Sequence, residues 1–202
     1  MFLLEVHHGL FSDNFSLVAQ PHSGWTLITS IDQNFPARDA RGNALTHTQD
    51  QVFAACPFLR EAGTLNDPEF EIFIHLIHAM LNTAQSGQDW PSVMTKAVHD
   101  AGDVVITRSS GKHEKYSIVQ FGKKKTMIRI HTFTTAVGRK VAFISHVFEK
   151  PKNSDKTPPK EQTRAEMNLQ QFLNAVDADE AQFIDTQGGK YEFNKLVRRA
   201  EN

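Results

Sequence analysis

The chain has 202 residues, 40% apolar and 22% charged, the make-up of a folded protein of one large or two small domains. It contains no run of eighteen uncharged apolar residues, its first residues MFLLEVHHGLF lack the features of a signal peptide, and Cys56 is its one cysteine. This excludes a membrane-spanning helix, a disulfide scaffold and a thiolate zinc finger, and it points to a reducing, cytoplasmic setting without membrane attachment.

The net charge of −1 conceals an asymmetry. Residues 1–103 hold four basic and twelve acidic side chains, residues 104–160 thirteen against three (Glu114, Glu149 and Asp155), and residues 161–202 five against eight. A basic block between acidic flanks is either a footprint for a polyanion or a solvated face balanced by the chain's own carboxylates. On the first reading the block folds into one continuous positive surface.

In chain order, residues 2–6, 15–20 and 24–30 read as strands divided by the polar turns around Ser12–Asn14 and Pro21–Gly24. Residues 31–47 have no period and read as a loop. Thr48 suits the N-cap of a helix through Val52, Phe53 and Ala54, which Pro57 interrupts. The clearest helix covers 67–84, with Asp67 as N-cap, Pro68 at the first helical position, and Glu69 and Glu71 at the positive helix end. Its stripe is Phe70, Phe73, Ile74, Ile77, Met80 and Leu81, and Ile72, Leu76 and Ala79 extend it to other faces, so this helix is expected to be buried against the sheet of 104–148. Gly87 ends it, and a shorter helix is expected over 90–100.

From residue 103 the period changes. DVVITRS, KYSIVQF, TMIRIHTF and KVAFISHVF are rich in β-branched and aromatic residues, and the turns at Gly111, Gly122–Lys125 and Ala136–Gly138 are short, which predicts an antiparallel meander. The Pro/Lys-rich stretch Pro151–Pro159 ends it, a helix over about 159–175 carries Ala165, Leu169, Phe172 and Leu173, and the acidic tail 176–202 holds a QGG turn. The expected fold class is α+β, an antiparallel sheet with flanking helices and a β-rich N-terminal extension.

Strand alternation gives the basic block chemical content. Met127, Arg129, His131 and Phe133 share one strand face, and Ala142, Ile144, His146 and Phe148 share another. With suitable pairing, Arg129, His131 and His146 converge, with Lys150 and Lys152 just beyond. The cations would hold phosphates and meet charge building on a transferring phosphoryl group, while a histidine would take the proton of a ribose 2′-hydroxyl, a route that needs no metal or other cofactor. The competing reading makes His131 and His146 ordinary half-buried strand residues. Tyr116, by base stacking, and Lys115 and Lys123–Lys125, by phosphate contact, would extend the surface, although a lysine-rich turn also protects solubility.

Other motifs carry less. Glu71, His75 and His78 are spaced for one helix face, but the helix is apolar nearly all round and has no HExxH pairing, which favours satisfied histidines over ligands. His7-His8 has no partner at any recognisable spacing. Ser109-Ser110-Gly111 is a turn and not a phosphate loop, and Cys56, without a C-x-x-C partner, reads as a buried structural thiol.

Residues 115–174 resemble the RelE/HigB-like toxins of type II toxin–antitoxin systems, especially the phage-derived HigB-like branch. The pattern is a strand with an arginine (Arg129), a strand ending in Phe148 with Lys150 and Lys152 after it, Thr157–Pro158, and a helix opening with Lys160–Glu161 and carrying Ala165. Residues 1–60 have no counterpart in that family. The resemblance implies a RelE-like domain over 63–176, preceded by an extension over 1–62 and followed by an acidic tail over 177–202. It implies metal-independent cleavage of messenger RNA on the ribosome, with a cognate antitoxin as partner; the strand-face reading supplies Arg129, His131 and His146 as the catalytic candidates and Lys150, Lys152, Lys115 and Tyr116 as the substrate-binding ones. A phage or mobile-element protein that keeps the fold as a nucleic-acid or protein binding module is the alternative, and a ParE-like relative directed at a topoisomerase is a third reading.

Overall fold

The computed structural model describes residues 1–17, 19, 24–32, 35, 46–87, 97–122, 125–134, 140–152, 156–184 and 190–192, the last three by their backbone. Eight strands form one sheet: β1 (Phe2–Val6), β2 (Thr26–Ile31), β3 (Val98–Thr107), β4 (His113–Phe121), β5 (Ile128–Thr134), β6 (Val141–Glu149), β7 (Gln182–Ile184) and β8 (Lys190–Glu192). Their order across the sheet is β3-β4-β5-β6-β2-β1-β7-β8. The expected meander is present, with β3–β4, β4–β5 and β5–β6 all antiparallel. The β1–β2 and β7–β8 pairs are antiparallel as well, whereas β2 lies parallel to β6 and β1 parallel to β7. The α+β class therefore holds. The segments read as an extension and a tail complete the same sheet, because β2 and β1 occupy its middle and β7 joins beyond them.

Helices cover both faces. On one lie α1 (Gln49–Ala55), α2 (Pro57–Ala62) and α3 (Asp67–Gln85), and on the other α4 (Pro159–Asp177). Thr48 caps α1 as expected, with Gln51 closing a capping box. Pro57 does more than interrupt that helix, since it opens α2 at its first turn, where its missing N–H costs nothing. The α3 cap is Asn66 and not Asp67: Asn66 Oδ1 accepts from the Glu69 N–H and Glu69 reaches back to the Asn66 N–H, which moves the helix start one residue earlier. Phe73, Ile77 and Met80 are fully buried, as the apolar stripe predicts, and each contributes about 2 kcal/mol by burial. At its far end α3 meets the start of β2 so closely that Trp25 N–H donates to Ala84 O at 2.8 Å. A Cβ at Gly24 would stand 2.1 Å from that same oxygen, so glycine is required there.

On the other face Ala165, Leu169, Phe172 and Leu173 bury fully, and Phe172 stacks on Phe143 with ring centroids 4.7 Å apart. Glutamines of α4 also reach the outer rim of β3. Gln162 Nε2 donates to Ala101 O at 2.7 Å, and Gln170 both donates to Thr107 O (2.8 Å) and accepts from Thr107 N–H (3.1 Å).

Two expected elements differ. Phe15–Leu17, within the predicted strand 15–20, is not extended into the sheet; Ser16 N–H instead bonds Gly9 O. Of the predicted helix 90–100, residues 90–96 lie outside the described residues, and Val98–Asp100 belong to β3, where pairing with Val119–Phe121 overrides helical spacing. The QGG turn, Lys123, Lys124 and Ala136–Gly138 also lie outside the described residues.

Candidate functional site

β5 and β6 pair with Arg129 opposite Phe148 and His131 opposite His146. The register then shifts, so that Thr132 faces Ile144 and Ser145 is the extra residue of a β-bulge. This corrects the expected alternation. Ala142 and Ile144 pack with α1–α3, whereas Ser145, His146 and Phe148 all meet the α4 side. The bulge therefore delivers His146 beside His131, their rings edge to face with centroids 4.9 Å apart and Phe148 4.7 Å from His131.

Both histidines are fully buried beneath the first turn of α4. His131 Nε2 lies 3.2 Å from Gln120 Oε1, an oxygen that also accepts from the Thr157 hydroxyl at 2.9 Å. A carboxamide oxygen only accepts, so the network assigns the His131 proton to Nε2 and leaves Nδ1 a bare lone pair without a partner. His146 Nδ1 is 2.9 Å from Ser145 Oγ, which Asn168 also bonds, and its Nε2 stands 3.3 Å from Glu161 Oε2. Burial pushes His131 down to about 3, with His146 adding to the shift and the Glu161 backbone opposing it, and burial alone pushes His146 down to about 4. At neutral pH both are uncharged imidazoles with no exposed atom, so in this arrangement neither reaches a ribose hydroxyl. The expected role of His131 and His146 in proton transfer thus meets two sealed rings packed beneath the start of α4.

Arg129 is also buried, 7% exposed, and desolvation lowers its affinity for a proton. Its Nη1 donates to Thr126 O (2.8 Å) and Ile128 O (2.7 Å), while Nε has no partner. The side chain runs over Gly122, where a Cβ would come within 2.5 Å of Arg129 Cδ.

The remaining expected residues divide between the two ends of the meander. Tyr116 is buried, and its hydroxyl donates to Glu114 Oε2 at 2.7 Å and accepts from Arg108, so its ring is core and not a stacking platform. Lys115 points to the opposite sheet face and pairs with Asp103 at 2.6 Å. Arg108 binds Asp177 and Glu114, Lys112 binds Glu114, and Ser109 donates twice to Asp177, whose carboxyl is held far below its usual range. At this hairpin tip the basic block is neutralised by carboxylates, which contradicts one continuous positive surface. At the other end, Lys150 N–H extends the β5–β6 ladder to Met127 O, and Lys125, Lys150 and Lys152 have no carboxylate partner among the described residues. Lys160, at the start of α4, touches Glu161 at 3.5 Å.

Gln120 and Ser145 escaped the sequence reading. Alternation from Tyr116 and Ile118 places Gln120 on the buried face, a usable signal, whereas nothing in the sequence marks the bulge at Ser145. Compared with family models, curated proteins and solved structures, the chain has no significant match.

Proposed function

We propose that this protein is a RelE/HigB-like toxin that engages messenger RNA, with the ribosome, through the basic end of its sheet. The observation that carries the reading is that Lys125, Lys150 and Lys152, at the end of the sheet where β5 begins and β6 finishes, have no carboxylate partner among the described residues. A surface of this kind neutralises phosphates along a backbone, and Arg129, second residue of β5, lies on a rigid element at the same end of the sheet. The setting is cytoplasmic, and a cognate antitoxin would cover the same cations. No described helix is long and apolar enough to cross a membrane.

One observation favours the alternative, a binding module without nuclease chemistry: both histidines are sealed in the core and neutral. Induced expression with growth curves, primer-extension mapping of cellular RNA and RNA retention by the purified chain separate the two. Growth arrest with RNA cleavage, both lost in a folded Arg129→Ala variant, supports the toxin. RNA retention lost in Lys150→Ala/Lys152→Ala, without any cleavage by the parent, supports the module. Absence of both cleavage and retention overturns the two readings together.

A further inference from the structure

The fold supplies the partner that His8 lacks in the sequence. A 3-10 turn, His8–Phe11, lays His8 against α3, where its Nδ1 stands 2.8 Å from Nδ1 of His78. The two ring planes differ by 10° and the centroids are 5.0 Å apart. That separation is close to the nitrogen contact plus the two ring radii, so the imidazoles meet head to head, with both δ nitrogens aimed at one point. Phe11 packs edge-on against His78, centroids 5.9 Å apart, and limits its swing. Both histidines are half-exposed, unlike the sealed pair on β5 and β6.

Between two neutral imidazoles, one protonated on Nδ1 and the other on Nε2, the contact is a hydrogen bond as it stands, and a metal ion would engage the same two nitrogens through both lone pairs. We propose that His8 and His78 form a two-imidazole binding site for a borderline transition-metal ion, Zn²⁺ foremost, with water completing its coordination. Zn–N bonds of about 2.0–2.1 Å at a tetrahedral angle require the nitrogens to part to roughly 3.4 Å, a small side-chain rotation. Imidazole nitrogen is the donor type such ions select over hard cations such as Mg²⁺ or Ca²⁺. His78 is held below its ordinary 6.5, by burial first and then by His8 and His75. His7 is committed elsewhere, its Nε2 3.1 Å from Leu17 O and its Nδ1 accepting the Gly9 N–H, and His75 Nδ1 is bonded to Glu71 O. Among the described residues no group of three His, Cys, Asp or Glu side chains gathers to hold an ion, which is why water is assigned the other positions. The site is independent of RNA binding.

An ion here would join the N-terminal turn to α3, seventy residues away in the chain, so binding would also be read as stabilisation. The test is calorimetric titration and thermal melting of the untagged full chain with ZnCl₂. One ion per chain and a raised Tm are expected, with affinity at least about tenfold weaker in His8→Ala and in His78→Ala and unchanged in His99→Ala. His8→Gln, on a half-exposed turn, serves if His78→Ala fails to fold. Absence of binding at about 100 μM Zn²⁺, or binding that survives both substitutions at His8, would show that the pair shares a proton only and would overturn the proposal.

Discussion

Nε2 of His146, on β6, lies 3.3 Å from Oε2 of Glu161 in the first turn of α4, and the imidazole is fully buried and uncharged. Folding therefore sets aside two groups, His131 and His146, that would bind protons readily in the unfolded chain. Their folded values of about 3 and about 4 lie below the ordinary 6.5. Below pH 6.5 the unfolded state takes up more protons, so stability is full above that pH and is lost as pH falls toward 4. For His146 alone the loss by pH 4 is ~3 kcal/mol. Urea unfolding between pH 7.5 and 4 is expected to show this decline, with a shallower slope in His146→Gln.

Asp177 anchors the end of α4 to the hairpin tip through Arg108 and Ser109. Asp177→Asn retains the shape but removes the charge that Arg108 faces in a largely shielded place, and is expected to lower Tm by about 4 °C. Lys115→Ala removes a salt bridge of similar length on the open face of β4, and no measurable change in Tm is expected. Paired melting curves of the two variants make the comparison.

Gly122→Ala offers a way to move Arg129 without deleting it. The new methyl would press on Arg129 Cδ, Nη1 and Nε at 2.5–2.8 Å and pull the guanidinium from its two carbonyl partners. A loss of ~1–2 kcal/mol is expected by urea titration. If Arg129 serves RNA contact, retention of RNA falls as well, although every cation remains.

Local patterns made much of this legible. Helix α3 could be read because its apolar residues crowd nearly every face, and the meander because its turns are short and its strands β-branched. What could not be read depended on distant partners. The place of β2 beside β6 and of β7 beside β1 is decided by strands more than a hundred residues away. The site suffered from one residue: Ser145 shifts the phase of β6, so counting from Ala142 puts His146 on the wrong face. The burial of His131 and His146 follows from α4 closing over them, which alternation along a strand does not report.

The glutamines at the rim of β3 bear on how copies of this chain behave toward one another. β3 is ten residues long and terminates the sheet, so its outward backbone groups are a template for another strand. Gln162 occupies the Ala101 carbonyl, and Gln170 occupies both backbone groups of Thr107. Val105 lies between them and is 56% exposed. Gln162→Ala/Gln170→Ala is therefore expected to leave the fold intact but to turn a monodisperse solution into one that self-associates with rising concentration, as light scattering would record. Besides covering the core, helix α4 thus lays side chains on edge positions that a ninth strand would take, and the double variant reads whether that occupancy keeps copies apart.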